Sequence, residues 1–172
     1  MDDLQKWLHG IRDGDITAFE ALYHEMKTPL FTIILRITRE WNLSEDILQE
    51  LFLKLYVSPP VPQGNPRAYL CRMAHNLALD GLRKTKPHDD LEVAERTVSH
   101  QVGDMEQRMD IEAAIKALPA RELEIVTMHV NGDLKFREIA NIMELPMGTV
   151  LWAYRKVRVF LMLLHLPAAQ KS

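Results

Sequence analysis

The sequence predicts an all-α protein built as two small helical domains joined by a flexible acidic linker. Only 7 of its 172 residues are glycine, and apolar residues recur along most of the chain at the three- and four-residue spacing of amphipathic helices. Hydrophobic residues make up 47% of the chain and charged residues 26%. This balance is typical of a folded globular protein and excludes a largely disordered one.

The charge distribution indicates where the domains meet. Residues 1–86 contain 11 basic and 11 acidic side chains, residues 87–112 carry a net charge of −6, and residues 113–172 carry +3, giving −3 overall. Phosphate attraction acts over a Debye length of about 10 Å, so the two neutral-to-basic blocks can bind nucleic acid despite the negative total. We therefore predict domains at 1–86 and 106–166. The linker at 87–105 would let them close onto each other.

The first block predicts four helices. The first carries Leu4, Trp7, Leu8 and Ile11 and ends near Gly14. Asp15 or Thr17 can cap the second, whose buried face would hold Phe19, Leu22, Tyr23 and Met26. Pro29 predicts a kink or a break within it, and the apolar side continues to about Arg39.

Ser44 would cap a third helix over 44–56, with its core at Ile47, Leu48, Leu51, Phe52 and Leu55. Asp46, Gln49, Glu50 and Lys54 would face outward. The proline-rich segment 57–66 predicts a loop.

The fourth helix, over 66–86, is basic. It carries five cations against Asp80 alone, and Tyr69 lies near its start. Such a helix could line nucleic acid by charge and base stacking. On charge alone, a solvated surface helix with extended Arg and Lys side chains is the better interpretation.

The second block predicts a helix ending at Pro119, a helix over about 120–130, and then a helix-turn-helix. Leu123, Val126 and Met128 to Val130 supply the apolar residues of the 120–130 helix, and Asn131-Gly132 predicts the turn that follows. Phe136, Ile139, Ala140 and Met143 form one helical stripe. Pro146 suits the first turn of the last helix.

That last helix has two contrasting faces. Val150, Tyr154, Val157 and Leu161 should face the core, and the opposite face carries Gly148, Thr149, Trp152, Arg155 and Lys156, with Arg158 at its edge. A short helix, a turn and a basic helix with small residues at its start suit entry into a DNA major groove. An ordinary helical hairpin with a basic surface is the alternative.

Five segments in order resemble RNA polymerase sigma factors of the extracytoplasmic-function (ECF) group of the sigma-70 family. They are AFEALYHEMKTPLF, SEDILQELFLKLY, PRAYLCRMAHNLALDGLRK, ALPARELEIVTMHV and FREIANIMELPMGTV. The resemblance covers nearly all of residues 15–162. It implies a protein that binds core RNA polymerase and promoter DNA and that is commonly held inactive by an anti-sigma factor.

The resemblance also implies roles for particular residues. The third helix would dock on core polymerase through Asp46, Gln49, Glu50 and Leu53. The fourth helix would melt and bind the −10 element through Arg67, Tyr69, Arg72, Asn76, Asp80, Arg83 and Lys84. The last two helices would bind the −35 element through Arg137, Gly148, Thr149, Trp152, Arg155, Lys156 and Arg158.

The chain departs from the family pattern after Gly148-Thr149-Val150. Most relatives continue with Lys-Ser-Arg, whereas this chain has Leu151-Trp152-Ala153. The loss of two cations predicts weaker or differently specified −35 contacts and a lower salt dependence. Trp152 could touch a thymine methyl group or pack against protein.

No pattern in the sequence supports catalysis, a cofactor or a metal site. The seven histidines are scattered, and His88-Asp89-Asp90 in the linker lacks partner histidines. The single cysteine favours a reducing cytoplasm. The acidic amino end lacks signal-peptide features, and the apolar runs are too short to span a bilayer.

Two rival functions remain open at this point. One is a stand-alone helix-turn-helix regulator, and the other is a sigma-like protein that acts mainly through protein contacts.

Overall fold

The computed structural model describes residues 2–85 and 113–169, with side chains up to residue 162, and it is helical throughout most of those ranges. The helices are α1 (Asp3–Arg12), α2 (Ile16–Thr38), α3 (Trp41–Val57), α4 (Pro66–Thr85), α5 (Ala120–Val130), α6 (Phe136–Met143) and α7 (Met147–Ala169), and residues 113–117 are also helical. The predicted all-α class is confirmed. The predicted linker at 87–105 and the first part of the predicted helix before Pro119 lie outside the described residues.

Helices α1 to α4 form the first bundle, with α2 at its centre. Leu22, Met26, Leu30 and Ile34 recur on one side of α2 and are fully buried. Helices α1, α3 and α4 all pack against α2. Asp15 caps α2 by accepting a hydrogen bond from the Thr17 backbone N–H at 2.9 Å. A bond from the Thr17 hydroxyl, together with that backbone bond, lowers the pKa of the Asp15 carboxyl.

Two details of α2 differ from the sequence prediction. The helix runs unbroken through Pro29, so the expected break is wrong; burial of apolar side chains on both sides of Pro29 offsets the backbone hydrogen bond that proline cannot donate. Tyr23 is 38% exposed instead of buried, and it borders a surface groove. The helix ends at Thr38, and Arg39 takes up the left-handed conformation that terminates it, with φ of 58°.

The cap predicted for α3 is wrong by one turn. Helix α3 begins at Trp41, and the carboxylate of Glu40 accepts hydrogen bonds from the backbone N–H groups of Asn42 and Leu43. Ser44 is instead fully buried inside the first turn. Its hydroxyl donates to the Glu40 carbonyl at 2.7 Å and lies 2.6 Å from the Thr38 hydroxyl. Ser44 therefore joins the ends of α2 and α3.

Helices α5 to α7 form the second bundle, which contains the helix-turn-helix. The Asn131-Gly132 turn is confirmed, and Gly132 is needed there because a Cβ would lie 2.5 Å from the Met128 carbonyl oxygen. His129 stacks on Phe136 with centroids 4.4 Å apart, and Tyr154 packs edge-on against His129. These three rings hold α5, α6 and α7 together.

Several predicted core positions of the second bundle need correction. In α5 the buried apolar residues are Leu123, Ile125 and Met128, whereas Val130 is 64% exposed. In α7 Val150 and Val157 are buried as predicted, and Ala153 is buried beside them at 2% exposure. The predicted stripe on α6 is confirmed at Ile139 and Ala140, which are buried.

The only cysteine of the sequence lies in α4, and we expect it to be chemically inert. Burial raises the pKa of the Cys71 thiol to about 12, so at pH 8 only about one molecule in ten thousand carries the thiolate that reacts with alkylating agents. Iodoacetamide should leave Cys71 unmodified in the native protein and modify it rapidly in urea. Rapid modification of the native protein would contradict this burial.

Candidate nucleic-acid and polymerase interfaces

The predicted docking residues form one continuous exposed stripe on α3. Asp46, Gln49, Glu50 and Leu53 are spaced at i, i+3, i+4 and i+7, and all four are exposed. Leu53 is 62% exposed, which is unusual for a leucine beside a packed core. The stripe therefore combines two carboxylates, an amide and an apolar side chain on one face.

Leu53 stands between two apolar recesses. The first has a volume of about 440 Å³ and lies between α2 and α3. The second has a volume of about 410 Å³ and lies between α3, the loop after it and α4. The first is lined by Phe19, Tyr23, Leu48, Gln49, Phe52, Leu53 and Tyr56. We call this first recess the docking groove.

Three aromatic residues of the docking groove were not predicted from the sequence as surface residues. Phe19 and Tyr23 were expected in the core, but both lie on the rim of the groove. The Tyr23 ring contacts Phe52 edge-on, with centroids 4.8 Å apart, and the Phe19 ring contacts Tyr56, with centroids 5.3 Å apart. Tyr56 is 55% exposed. It lies three residues after Leu53 and seven after Gln49, so the helical spacing of the stripe could have revealed it.

Six of the seven residues predicted to bind the −10 element lie on the exposed face of α4. Tyr69 is 41% exposed, and the others are exposed as well. They follow one stripe along the helix, namely Tyr69, Arg72, Asn76, Asp80, Arg83 and Lys84. The guanidinium of Arg83 pairs with Asp80 at 3.2 Å. Arg72 and Lys84 are then the cations of the stripe that form no ion pair within the described ranges.

Arg67 does not join this stripe. Its side chain is only 19% exposed, and its guanidinium pairs with Glu25 of α2 at 3.0 Å. The backbone N–H of Arg67 also bonds to the Asn65 side chain, which caps α4. Arg67 therefore fixes α4 against α2 and is not placed beside Asn76.

The predicted −35 residues share the exposed side of the helix-turn-helix. Arg137 is exposed on α6. On α7, Thr149 is half-buried, and five residues are exposed, namely Gly148, Trp152, Arg155, Lys156 and Arg158. The Lys156 ammonium lies over the Trp152 ring, 5.1 Å from its centroid. Trp152 is 61% exposed, so packing against a neighbouring helix of this chain does not account for it.

The three residues that depart from the family pattern differ in their exposure on α7. Ala153 is buried in the core of the second bundle. Leu151 is half-buried, and only Trp152 of the three departing residues is fully on the exposed face. The departure therefore replaces one surface position with an indole and leaves Arg155, Lys156 and Arg158 in place.

Glu122 binds one of the remaining cations, Lys156, and no local sequence pattern predicts this contact. Its carboxylate is buried in the first turn of α5, where Oε1 accepts a hydrogen bond from Lys156 Nζ at 2.9 Å. The other oxygen, Oε2, is buried without a hydrogen-bond partner among the described residues. A buried carboxylate with one unsatisfied oxygen binds Lys156 and makes that cation less available to phosphate.

We expect Glu122→Gln to strengthen binding to −35 duplex DNA. An ion pair with an exposed partner contributes up to about 1 kcal/mol, so freeing Lys156 should raise the affinity by about threefold. The slope of log affinity against log salt should steepen by up to about 0.9. Fluorescence anisotropy measures both values. The gain should vanish in a Lys156→Gln background, and a gain that persists there would show that Glu122 does not act through Lys156.

The described residues offer no metal site and no membrane span. No group of three or more His, Cys, Asp or Glu side chains among them could hold a metal ion, and His88-Asp89-Asp90 lies outside the described ranges. None of the described helices is long and apolar enough to cross a membrane.

Two family profiles match this chain, one in each helical bundle. The family profile for sigma-70 region 2 matches residues 22–87, and the profile for sigma-70 region 4 matches residues 108–151. Together they cover 110 of the 172 residues. The region 2 profile accounts for α3 and α4, and the region 4 profile includes the turn between α6 and α7.

Curated relatives share most of the length of the chain. The ECF RNA polymerase sigma factor SigW of Bacillus subtilis is 28% identical, covering 86% of this chain and 88% of that protein. The ECF RNA polymerase sigma factor SigK of Mycobacterium ulcerans is 22% identical, and the match covers 87% of this chain and 86% of SigK.

Solved structures share the fold. CnrH in complex with the cytosolic domain of CnrY has a TM-score of 0.63 at 18% identity, covering 97% of this chain and 99% of the other. The sigma factor RpoE of Bartonella quintana, solved with the anti-sigma factor NepR, has a TM-score of 0.62 at 16% identity, covering 83% and 93%. With both sigma-70 regions present in order, a stand-alone regulator is not favoured. The chain belongs to the ECF group of the sigma-70 family and directs promoter-specific transcription initiation by RNA polymerase.

Proposed function

We propose that this sigma factor uses three separate surfaces: one binds core polymerase, one binds the −10 element and one binds the −35 element. Residues 1–86 form the domain that docks on core polymerase and opens the −10 element, and residues 106–166 form the domain that binds the −35 duplex, with the linker at 87–105 between them. The protein performs no chemistry of its own and acts in the cytoplasm, where polymerase and promoter meet.

The observation that carries the docking role is the exposed Leu53 between two apolar recesses. Burying a leucine and the aromatic rim of the docking groove would contribute several kcal/mol to binding, at about 25 cal/mol per Å² of apolar area. Asp46 and Glu50 on the same stripe would then favour a basic partner surface and set its orientation.

The exposed face of α4 supports the −10 role. Asn76 can donate and accept hydrogen bonds with an unpaired base, and Tyr69 provides a ring on which a base can stack. Arg72 and Lys84 supply cations for the phosphates of the opened strand.

The −35 role rests on the basic face of α7. Arg155, Lys156 and Arg158, with Arg137 on α6, can position the helix-turn-helix on DNA phosphates, and the small residues at the start of α7 allow close approach to the groove. Trp152 is the side chain on this face best suited to touch a thymine methyl group.

Hydroxyl-radical footprinting read by mass spectrometry tests this division. Tyr23, Leu53 and Tyr56 should lose reactivity when core polymerase is added, because the partner excludes solvent from them. Tyr69 and Trp152 should lose reactivity only when promoter DNA is added to the complex. Undiminished reactivity of Leu53 and Tyr56 in the polymerase complex would contradict the docking role.

We further propose an anti-sigma factor as a regulatory partner. One protein of similar fold, the sigma factor RpoE, was solved with the anti-sigma factor NepR, and another, CnrH, was solved with the cytosolic domain of CnrY. The docking groove would accept an apolar helix of such a partner. A bound anti-sigma factor should protect Leu53 from hydroxyl radicals and compete with core polymerase. Simultaneous binding of both at full affinity would contradict a shared groove.

A further inference from the structure

Three side chains from two helices contact one another in sequence on the basic face of α7. Glu122 of α5 accepts a hydrogen bond from Lys156 Nζ at 2.9 Å. The same ammonium lies over the Trp152 ring, 5.1 Å from its centroid. Trp152 and Lys156 are four residues apart on α7, so they lie on the same face of the helix, one turn from each other. The Lys156 ammonium therefore stands between a carboxylate and an indole ring.

The carboxylate of Glu122 is the fixed end of this arrangement. The Glu122 side chain is only 9% exposed, whereas that of Lys156 is 52% exposed. Glu122 lies in the first turn of α5, where the positive end of the helix dipole favours a carboxylate. A lysine on a helix surface otherwise samples many rotamers. The burial of Glu122 therefore determines where the ammonium of Lys156 lies.

The indole of Trp152 is the exposed end, and the cation orients it. Cation–π attraction at an exposed site favours the paired arrangement about two- to fivefold over arrangements without the contact. Because the ammonium covers one side of the ring, the ring edge and the other side are left for a ligand. Trp152 is 61% exposed, so the indole is a preformed apolar surface on a basic face.

Trp152 lies in the part of α7 from which a recognition helix contacts bases. Helix α7 begins at Met147, and residues near the start of such a helix reach base edges in the major groove. Gly148 lies one turn before Trp152, and a Cβ added there would meet no atom within 4 Å. The packing of the bundle does not require glycine at this position. The missing side chain leaves room beside the indole for the edge of a base pair.

Thymine is the base whose major-groove edge best matches this surface. It displays a methyl group beside its acceptor O4, whereas guanine, adenine and cytosine are recognised there by polar atoms. An indole offers apolar carbon atoms and a single N–H donor. Polar groups of the other bases would lose hydration against the ring without gaining enough partners. The indole therefore discriminates in favour of thymine.

We propose that Glu122, Lys156 and Trp152 act as one unit that sets the preference of the second bundle for a thymine in the −35 element. Trp152 contacts the thymine methyl group, and Glu122 and Lys156 are positioning residues that hold the indole for this contact. The arrangement gains selectivity and loses affinity, because the cation bound by Glu122 is less available to phosphate. The unit rests on the proposed −35 role of this bundle.

Promoter duplexes in which deoxyuridine replaces thymine test the methyl contact, because deoxyuridine lacks only the methyl group. Core polymerase with the full chain is titrated with duplexes that carry a −35 element identified by mapping transcript 5′ ends, with one thymine replaced at a time. Replacement at one position should lower the affinity about fourfold. Trp152→Ala should bind both duplexes equally. Val159→Ala removes another exposed apolar side chain of α7, about 10 Å further along the helix, and should keep the fourfold ratio.

The same ratio of affinities for thymine and deoxyuridine tests the positioning residues. Glu122→Gln should raise the affinity for both duplexes but lower the ratio to about two, because the ammonium no longer has a fixed place over the ring. Lys156→Gln should lower the ratio as far while weakening binding. Lys156→Arg keeps a cation between the carboxylate and the indole and should preserve the ratio. A purely structural role of Glu122 would change the affinity and leave the ratio unchanged.

Separate results would overturn each part of the proposal. Equal binding of thymine and deoxyuridine duplexes at every position, or mapped −35 elements without a thymine, would overturn the methyl contact. A ratio that survives Trp152→Ala would overturn the role of the indole. An unchanged ratio in both Glu122→Gln and Lys156→Gln would overturn the positioning role. If scrambling the whole −35 element leaves binding unchanged, the proposed −35 role itself fails, and the unit fails with it.

Discussion

Replacing Leu53 with glutamate should remove most of the affinity for core RNA polymerase. The leucine is 62% exposed between two apolar recesses, so a partner that fills the docking groove must bury it. Loss of about 2 kcal/mol of apolar burial, with the cost of desolvating a new carboxylate, should weaken binding by about 30-fold or more. A pull-down or surface-binding measurement with purified core enzyme determines the affinity of the variant.

The control for Leu53→Glu is Val130→Glu. Val130 is 64% exposed and lies on α5 away from the docking groove, so the same kind of substitution should leave core affinity unchanged. Both variants should unfold at nearly the temperature of the unmutated protein, because neither side chain belongs to the core. Equal affinities for the two variants would refute the role given to Leu53. Gln49→Lys should weaken docking in the same direction.

Asn76→Ala should impair promoter opening far more than it impairs binding to −35 duplex DNA. Asn76 is exposed at the centre of the α4 stripe, where its amide can bond to an unpaired base. Losing these bonds should lower the fraction of open complex by about tenfold. Permanganate footprinting of unpaired thymines measures opening, and anisotropy with a −35 duplex measures the second interaction.

The matched control for Asn76→Ala is Asn141→Ala. Asn141 is an exposed asparagine within a helix, as Asn76 is, but it lies on α6 and outside the α4 stripe. Its replacement should leave opening intact. Equal loss of opening and of −35 binding in Asn76→Ala would instead indicate a general defect and would contradict a specific role at the −10 element.

Much of the fold could be predicted because helical periodicity and turn residues act locally. Helix α5 begins and ends within the predicted range, and Asn131-Gly132 forms the predicted turn. The errors arise where tertiary contacts override local signals. Pro29 stays within α2 because packing on both sides offsets its missing bond, and Glu40 displaces Ser44 as the cap of α3 because Ser44 is buried against Thr38.

The candidate surfaces were predictable only in part. Exposure of the α3 and α4 stripes follows from their spacing, but the pairing of Arg67 with Glu25 joins residues 42 positions apart. The pairing of Lys156 with Glu122 similarly depends on how α5 and α7 pack. The burial of Ala153 in the second bundle was also not predicted, because a family pattern gives residue types without their burial. Contacts between distant segments carry no local sequence signal.

Transcription from a genomic library tests whether this chain directs promoter-specific initiation by core polymerase. Core polymerase with the purified protein should initiate at a defined set of sites, each preceded by two sequence elements at constant spacing, and the Leu53→Glu variant should initiate at none of them. Mapping the 5′ ends of the transcripts identifies these sites. If the transcripts match those of core enzyme alone at every site, this chain does not act as a sigma factor through the surfaces described.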